Sequence, residues 1–157
     1  MKKPNPFLPN KEAEKYIPYL EYTIEEMIQF KNEVIENEEL DFPTKFDYLI
    51  FNTIIFGAPV DGVAENCGFD LIKIRSDHDL KELSEVLEFI IVYAEYESVN
   101  DKEKLTQLEQ QLIELGKKYN KNVNIDELRK YRAEAQEFQK QFEKAALEFM
   151  KEVIKSL

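Results

Sequence analysis

The last third of the chain carries the most regular apolar pattern. Apolar side chains recur there at alternating steps of three and four residues: Leu105, Leu108, Leu112, Leu115 and Tyr119. This spacing keeps one stripe of a helix turned toward a neighbouring helix. A short polar turn follows at 120–124, and a second apolar stripe runs from Leu128 to Val153. The pattern predicts an antiparallel αα-hairpin over residues 101–157.

Upstream, helical spacing continues with different degrees of burial. Residues 23–38 alternate an apolar face with a glutamate-rich face, and residues 80–97 have a broad apolar face that favours the core. Residues 45–56 are apolar around most of the circumference, which favours a central buried helix, although a strand is the competing interpretation. Residues 1–9 contain three prolines and no periodicity, so an extended arm is predicted before a helix that starts near Lys11.

Few turn-forming residues interrupt these segments. Phe42 and Pro43 indicate a helix stop, with Thr44 and Asp47 as the capping pair of the next helix. Three of the four glycines fall between residues 57 and 68, which predicts one long Gly-bearing loop near residues 57–70 and a short extended piece over 69–75. The chain is thus predicted to be an all-α, bundle-like single domain of five to six helices over residues 1–157.

Charge is unevenly distributed along the chain. The formal net charge is -11, with 21 acidic against 9 basic residues in 1–100 and 11 against 12 in 101–157. An anionic surface repels DNA, RNA and anionic lipid and attracts a basic protein. No apolar run approaches the roughly 20 residues that span a bilayer, and no secretion signal is visible. We therefore expect a cytoplasmic protein that binds neither nucleic acid nor membrane directly.

Candidate chemistry is sparse. His78 lies between Asp77 and Asp79 at a predicted helix start, where capping explains the pattern more simply than acid–base catalysis. The single Cys67 is expected to be buried and inert, with an exposed reactive thiol as the alternative. One Cys and one His are too few for the usual zinc sites, and the glycine spacing lacks a phosphate-binding motif. We expect no metal, no cofactor and no enzyme activity. The alternative is a small hydrolase-like activity that uses His78.

Aromatic and acidic residues share the first helical region, a combination found at protein interfaces. The predicted partner-binding residues are Tyr16, Tyr19, Tyr22, Glu21, Glu25, Glu26, Glu36, Glu38, Glu39 and Asp41. The preferred hypothesis is a non-enzymatic inhibitor or neutraliser, such as an immunity protein, antitoxin or anti-defence factor. It would cover a basic site on a toxin, nuclease or other nucleic-acid-binding protein, in the sharpest form as a nucleic-acid mimic. The alternative is an assembly protein that forms a homodimer or oligomer through its C-terminal hairpin.

Overall fold

The structure, a computed structural model, describes residues 24–52 and 58–156, and these ranges contain seven helices and no strand. The helices are α1 Ile24–Glu36, α2 Phe42–Asn52, α3 Val60–Asn66, α4 Leu71–Asp77, α5 Leu80–Ser98, α6 Lys102–Tyr119 and α7 Ile125–Ser156. The predicted all-α class is confirmed. The predicted extended arm of residues 1–9 and the helix after it lie outside the described residues.

The centre of the fold is α5, which packs against every other described helix. Its buried residues lie around the whole circumference: Leu83, Val86, Leu87, Phe89, Ile90, Ile91, Val92, Tyr93, Ala94, Tyr96 and Glu97. A helix that is apolar on all sides must be surrounded by other elements. The sequence predicted that role for residues 45–56, but α2 packs on one side of the core through Phe46 and Leu49.

The start of α2 corrects one prediction. The Asp41 carboxylate accepts a hydrogen bond from the Thr44 backbone N–H at 2.9 Å, so Asp41 caps a helix that begins at Phe42. Pro43 lies in the first turn, where its missing N–H costs no hydrogen bond. The predicted stop at Phe42 and Pro43 is therefore a helix start. Helix is also the observed structure for residues 45–52, and residues 53–57 lie outside the described residues.

The Gly-bearing loop is much shorter than predicted. Helix α3 occupies most of it, because Val63 and Ala64 are fully buried in the core. Gly68 then turns the chain with a left-handed φ of 93°. Asp70 caps α4 by accepting hydrogen bonds from two backbone N–H groups, so the predicted extended piece is also wrong. These two short helices raise the number of described helices above the predicted five to six.

The turn between α6 and α7 is as predicted, but the two helices do not pack closely against each other as the predicted hairpin requires. Asn120 ends α6 in the left-handed conformation, and Asn124 accepts a hydrogen bond from the Glu127 N–H, as expected for a cap. Leu108 and Leu112 of α6 are buried mainly against α5. Helix α7 approaches α5 and α3 more closely than it approaches α6. The predicted seam between α6 and α7 is therefore loose, because α5 takes up the apolar stripe of α6.

Within residues 24–52 and 58–156, only the first part of α7 packs against the body of the domain. Leu128 and Ala135 are buried, and Gln136 donates a hydrogen bond to the Asn100 side chain at 3.1 Å. From residue 137 to residue 156, every side chain that the structure describes is exposed. We call residues 137–156 the α7 extension. Within residues 24–52 and 58–156, no helix combines the length and apolarity needed to cross a membrane.

Candidate binding surface

One acidic turn joins α1 to α2. Glu36, Glu38, Glu39 and Asp41 are all exposed there. The turn is shaped locally, since the Asn37 side chain accepts a hydrogen bond from the Glu39 N–H at 2.9 Å. Hydrogen bonds from the side chain and backbone of Thr44 lower the pKa of Asp41 below its ordinary value. The Asp41 carboxylate is therefore ionised at neutral pH.

A second acidic turn lies between α4 and α5. His78 ends α4 in the left-handed conformation, with a φ of 54°. The Asp79 side chain then accepts a hydrogen bond from the Glu82 N–H at 3.0 Å and caps α5. Asp77, on the other side of His78, is exposed. The capping interpretation of this Asp-His-Asp sequence is therefore confirmed for Asp79.

A ring contact brings the two turns together. The imidazole of His78 stacks on the ring of Phe42, with centroids 5.1 Å apart and planes 15° from parallel. Phe42 directly follows the first acidic turn, and His78 is the centre of the second. We call the six carboxylates of the two turns the acidic end: Glu36, Glu38, Glu39, Asp41, Asp77 and Asp79. Asp79, in the second turn, caps the N-terminus of α5.

Two cations near the first acidic turn, Lys45 and Arg75, are engaged by other groups. Lys45 is only 8% exposed, and its ammonium donates a hydrogen bond to the Ile35 carbonyl at 2.6 Å, close to the end of α1. Arg75 is paired with Asp47 at 3.3 Å. A cation near the C-terminus of a helix is stabilised by the exposed carbonyls there. These two cations are therefore held by groups that do not belong to the acidic end.

A cavity of about 340 Å³ adjoins the acidic end. Its charged lining residues are Asp70, Lys73, Asp77, Asp79, Glu82 and Lys121. Lys121 forms an ion pair with Glu82 at 3.0 Å and lies 4.5 Å from the centre of the Phe69 ring. Asp70 and Asp79 already accept helix-capping hydrogen bonds, and His78 turns its ring to Phe42 rather than lining this space. His78 is therefore not among the residues that line this cavity.

The other candidate reactive groups are also placed by the structure. Cys67 is fully buried, and burial raises the pKa of its thiol to about 12. The thiolate, which is the nucleophilic form, is thus disfavoured, and the prediction of a buried cysteine is confirmed. Among residues 24–52 and 58–156, no three His, Cys, Asp or Glu side chains are grouped so that they could hold a metal ion.

The structure divides the predicted partner-binding residues. Glu25 and Glu26 are exposed in the first turn of α1. Glu36, Glu38, Glu39 and Asp41 lie at or beyond the other end of α1, whose 13 residues span about 20 Å. The two groups therefore do not form one site. The remaining predicted residues lie outside the described ranges: Tyr16, Tyr19, Tyr22 and Glu21.

Sequence reasoning missed that Asp77 and Asp79 would join the first acidic turn. The two turns are more than 30 residues apart in the chain, and nothing in their local composition indicates proximity. The stack of His78 on Phe42 and the ion pair of Arg75 with Asp47 join the two regions, and both contacts appear only in three dimensions. No family model, curated protein or solved structure matches this chain.

Proposed function

We propose that this chain is a non-enzymatic, cytoplasmic binding protein of the inhibitor or neutraliser type. The acidic end would cover a basic site on a protein partner such as a toxin or nuclease. The observation that carries the proposal is the convergence of two carboxylate-bearing turns through the Phe42–His78 stack, 5.1 Å between ring centres. Clustered like charges on a rigid scaffold create a local potential that attracts a surface of the opposite charge.

Electrostatics would act mainly on the rate of association. The net charge of -11 and the clustered carboxylates would steer a cationic partner toward the acidic end. Such steering weakens as salt screens the charges over a Debye length of about 8 Å at physiological ionic strength. The Phe42–His78 pair would add flat apolar contact area beside the charges. A steep fall of the association rate with salt is therefore expected.

In its sharpest form, the acidic end acts as a nucleic-acid mimic. Exposed carboxylates on the two turns would occupy the groove in which a nuclease or other nucleic-acid-binding protein holds phosphates. Such a partner uses Lys and Arg side chains for phosphate contacts. The chain would then compete with DNA or RNA for the same groove. Direct competition between this protein and a labelled oligonucleotide for the purified partner tests this form.

The experiment compares two triple variants of equal charge. The test variant carries Glu36→Gln, Glu38→Gln and Glu39→Gln, and Asp41 is retained because it caps α2. The control carries Glu65→Gln, Glu114→Gln and Glu134→Gln, which are exposed residues of α3, α6 and α7. A basic partner is recovered from the native host at low salt, purified, and titrated against each protein.

We expect the test variant to bind the partner at least about tenfold more weakly, mainly through a lower association rate. The control variant is expected to change the affinity by less than about twofold, since exposed charges that lie outside an interface contribute little to binding. Equal losses in the two variants would mean that net charge alone, and not the acidic end, attracts the partner. Failure to recover any basic protein at low salt would overturn the proposal.

A further inference from the structure

The α7 extension displays large apolar side chains to solvent. Its exposed apolar residues, at 45–69% exposure, are Phe138, Leu147, Phe149, Met150, Val153 and Ile154. In the rest of the described chain, only Ile72 and Leu80 are comparable. Large exposed apolar side chains concentrated on one helix mark a candidate interaction surface. The extension is therefore a candidate site for an occupant that covers its apolar side chains.

The size of the extension suits a stable protein interface. Residues 137–156 make a helix about 30 Å long. In a pair of helices one face of each helix makes the contact, and the 20 residues of the extension provide about five turns of such a face. Two such helices laid side by side would cover much of each other's apolar face. One further helix of the same length is thus sufficient as the occupant.

The charge of the extension is that of a self-complementary surface. Its acidic residues are Glu137, Glu143, Glu148 and Glu152, and its basic residues are Lys140, Lys144, Lys151 and Lys155. Four acids and four bases give a net charge of zero, so the whole excess of -11 belongs to residues 1–136. A neutral helix with interleaved signs can approach its own copy without repulsion. A strongly basic partner has no electrostatic reason to choose it.

The same charge pattern disfavours a membrane surface as the occupant. Helices that lie in a membrane interface carry an excess of Lys and Arg on their polar face, which binds anionic headgroups. The extension has equal numbers of both signs, and it is attached to an anionic body. A second copy of the chain is the occupant that both the apolar face and the neutral charge favour.

The net charge of the body also selects the direction of pairing. Parallel extensions would hold the two anionic bodies side by side, whereas antiparallel extensions hold them at opposite ends of a helix about 30 Å long. That separation exceeds the Debye length of about 8 Å, so repulsion is largely screened. We propose that the α7 extension pairs with the α7 extension of a second copy in antiparallel orientation, forming a two-fold symmetric dimer.

This dimer leaves the acidic end accessible. Asp79 caps the start of α5, and Gln136 bonds to Asn100 just after the end of α5. The 19 residues of α5 place these points about 28 Å apart. The dimer would thus present two acidic ends to partners. The inference stands independently of the proposed function, because the apolar face and not the carboxylates carries it.

Sedimentation equilibrium of the full chain tests the pairing. We expect wild-type protein to be dimeric at micromolar concentration, at physiological and at high salt alike, since the interface is neutral and the bodies are screened from each other. Phe149→Glu should raise the dimer dissociation constant by about 100-fold or more, because two-fold symmetry places the substitution in the interface twice. Far-ultraviolet circular dichroism of Phe149→Glu should show that the helical body is retained.

Ile72→Glu is the matched control. Ile72 is 80% exposed on α4, outside the extension, so the same chemical change there should leave the dimer intact. A wild-type protein that stays monomeric at high micromolar concentration would overturn the proposal. The apolar face would then be covered by another segment of the same chain, or by a membrane if the monomer binds added lipid vesicles. A dimer that survives Phe149→Glu would overturn it as well. Salt insensitivity separates this result from that of the acidic end, which is expected to depend on salt.

Single cysteines determine the orientation of the pair. Ala145 lies near the middle of the extension and Ser156 at its tip, and both are exposed. In an antiparallel pair, Ala145→Cys should form a disulfide between copies under mild oxidation, whereas Ser156→Cys should not. The native Cys67 is buried and should remain unreactive. Efficient cross-linking at both positions would contradict the antiparallel arrangement and indicate parallel helices.

Discussion

The two parts of α7 are continuous in helix and opposite in environment. Residues 125–136 bury Leu128 and Ala135, at 0% and 1% exposure, against the body. Residues 137–156 leave Phe149 and Ile154 exposed by 69% and 66%. Both parts carry apolar residues at helical spacing. Periodicity therefore indicates that a helix has a face to bury, but it does not indicate whether the chain itself provides the cover.

Polar anchors mark the boundary between the two parts. Arg132 donates hydrogen bonds to the carbonyls of Tyr96 and Val99, at the end of α5, and its guanidinium lies 5.5 Å from the centre of the Tyr96 ring. Arg129 pairs with Glu109 of α6 at 2.8 Å. The last of these anchors is Gln136, bonded to Asn100. These polar contacts attach α7 to the body of the domain as far as Gln136.

The strongest contrast is expected from truncating one apolar side chain in each part. Leu128→Ala should lower the free energy of unfolding by about 2 to 5 kcal/mol, because it leaves a cavity in a packed core. Phe149→Ala removes a larger side chain but should cost less than about 0.5 kcal/mol in the monomer, since the residue is exposed. Urea denaturation at a concentration low enough to exclude dimers measures both. Similar losses in the two variants would contradict the division of α7.

A smaller effect is expected from the polar anchor. Arg132→Ala removes two hydrogen bonds and leaves the carbonyls of Tyr96 and Val99 without this donor. The expected loss is about 1 to 3 kcal/mol of unfolding free energy. Lys140→Ala, an exposed cation of the extension, is the control and should be nearly neutral. If the two substitutions cost the same in urea denaturation, Arg132 does not attach α7 to the body.

The smallest effect concerns pH and the link between α6 and α7. Hydrogen bonds from Arg129 and then Tyr96 lower the pKa of Glu109 below its ordinary value of 4.5. A carboxyl whose folded pKa is lowered stabilises the fold above its unfolded pKa, and this contribution is lost as pH falls through the folded pKa. Glu109→Gln should therefore flatten the fall in unfolding free energy below about pH 5.

Glu114→Gln, an exposed change on the same helix, serves as the reference for that pH series. Thermal unfolding across acidic pH gives both slopes. Parallel curves for the Glu109 and Glu114 variants would show that the Glu109–Arg129 pair adds nothing to the attachment of α7.

Local signals predicted the elements they control directly. The three–four spacing from Leu105 to Tyr119 predicted α6, and the polar segment 120–124 predicted the turn after it, which ends at the Asn124 cap. Short polar segments misled the prediction where burial decided the outcome. Val63 and Ala64 form a helix inside the predicted loop because they are buried in the core, and Pro43 lies in the first turn of α2 because Asp41 caps that helix. Tertiary packing overrides weak local preferences in such segments.

The candidate site was predictable only in part for the same reason. The acidic turn at Glu36 to Asp41 is visible as a run of carboxylates in the sequence. Its junction with Asp77 and Asp79 depends on the contact between Phe42 and His78, which no local pattern encodes. Glu25 and Glu26 are close to this turn in sequence, but they lie at the opposite end of α1.

By itself the sequence determined that this protein is helical and anionic, because periodicity and charge are properties of residues and their neighbours along the chain. Tertiary structure decided that α5 is the centre of the described helices and that two acidic turns distant in sequence meet. It also decided that the described side chains of residues 137–156 of α7 are exposed. These are relations between segments far apart in sequence. They follow from which apolar faces cover one another, and that choice is made only when the whole chain packs.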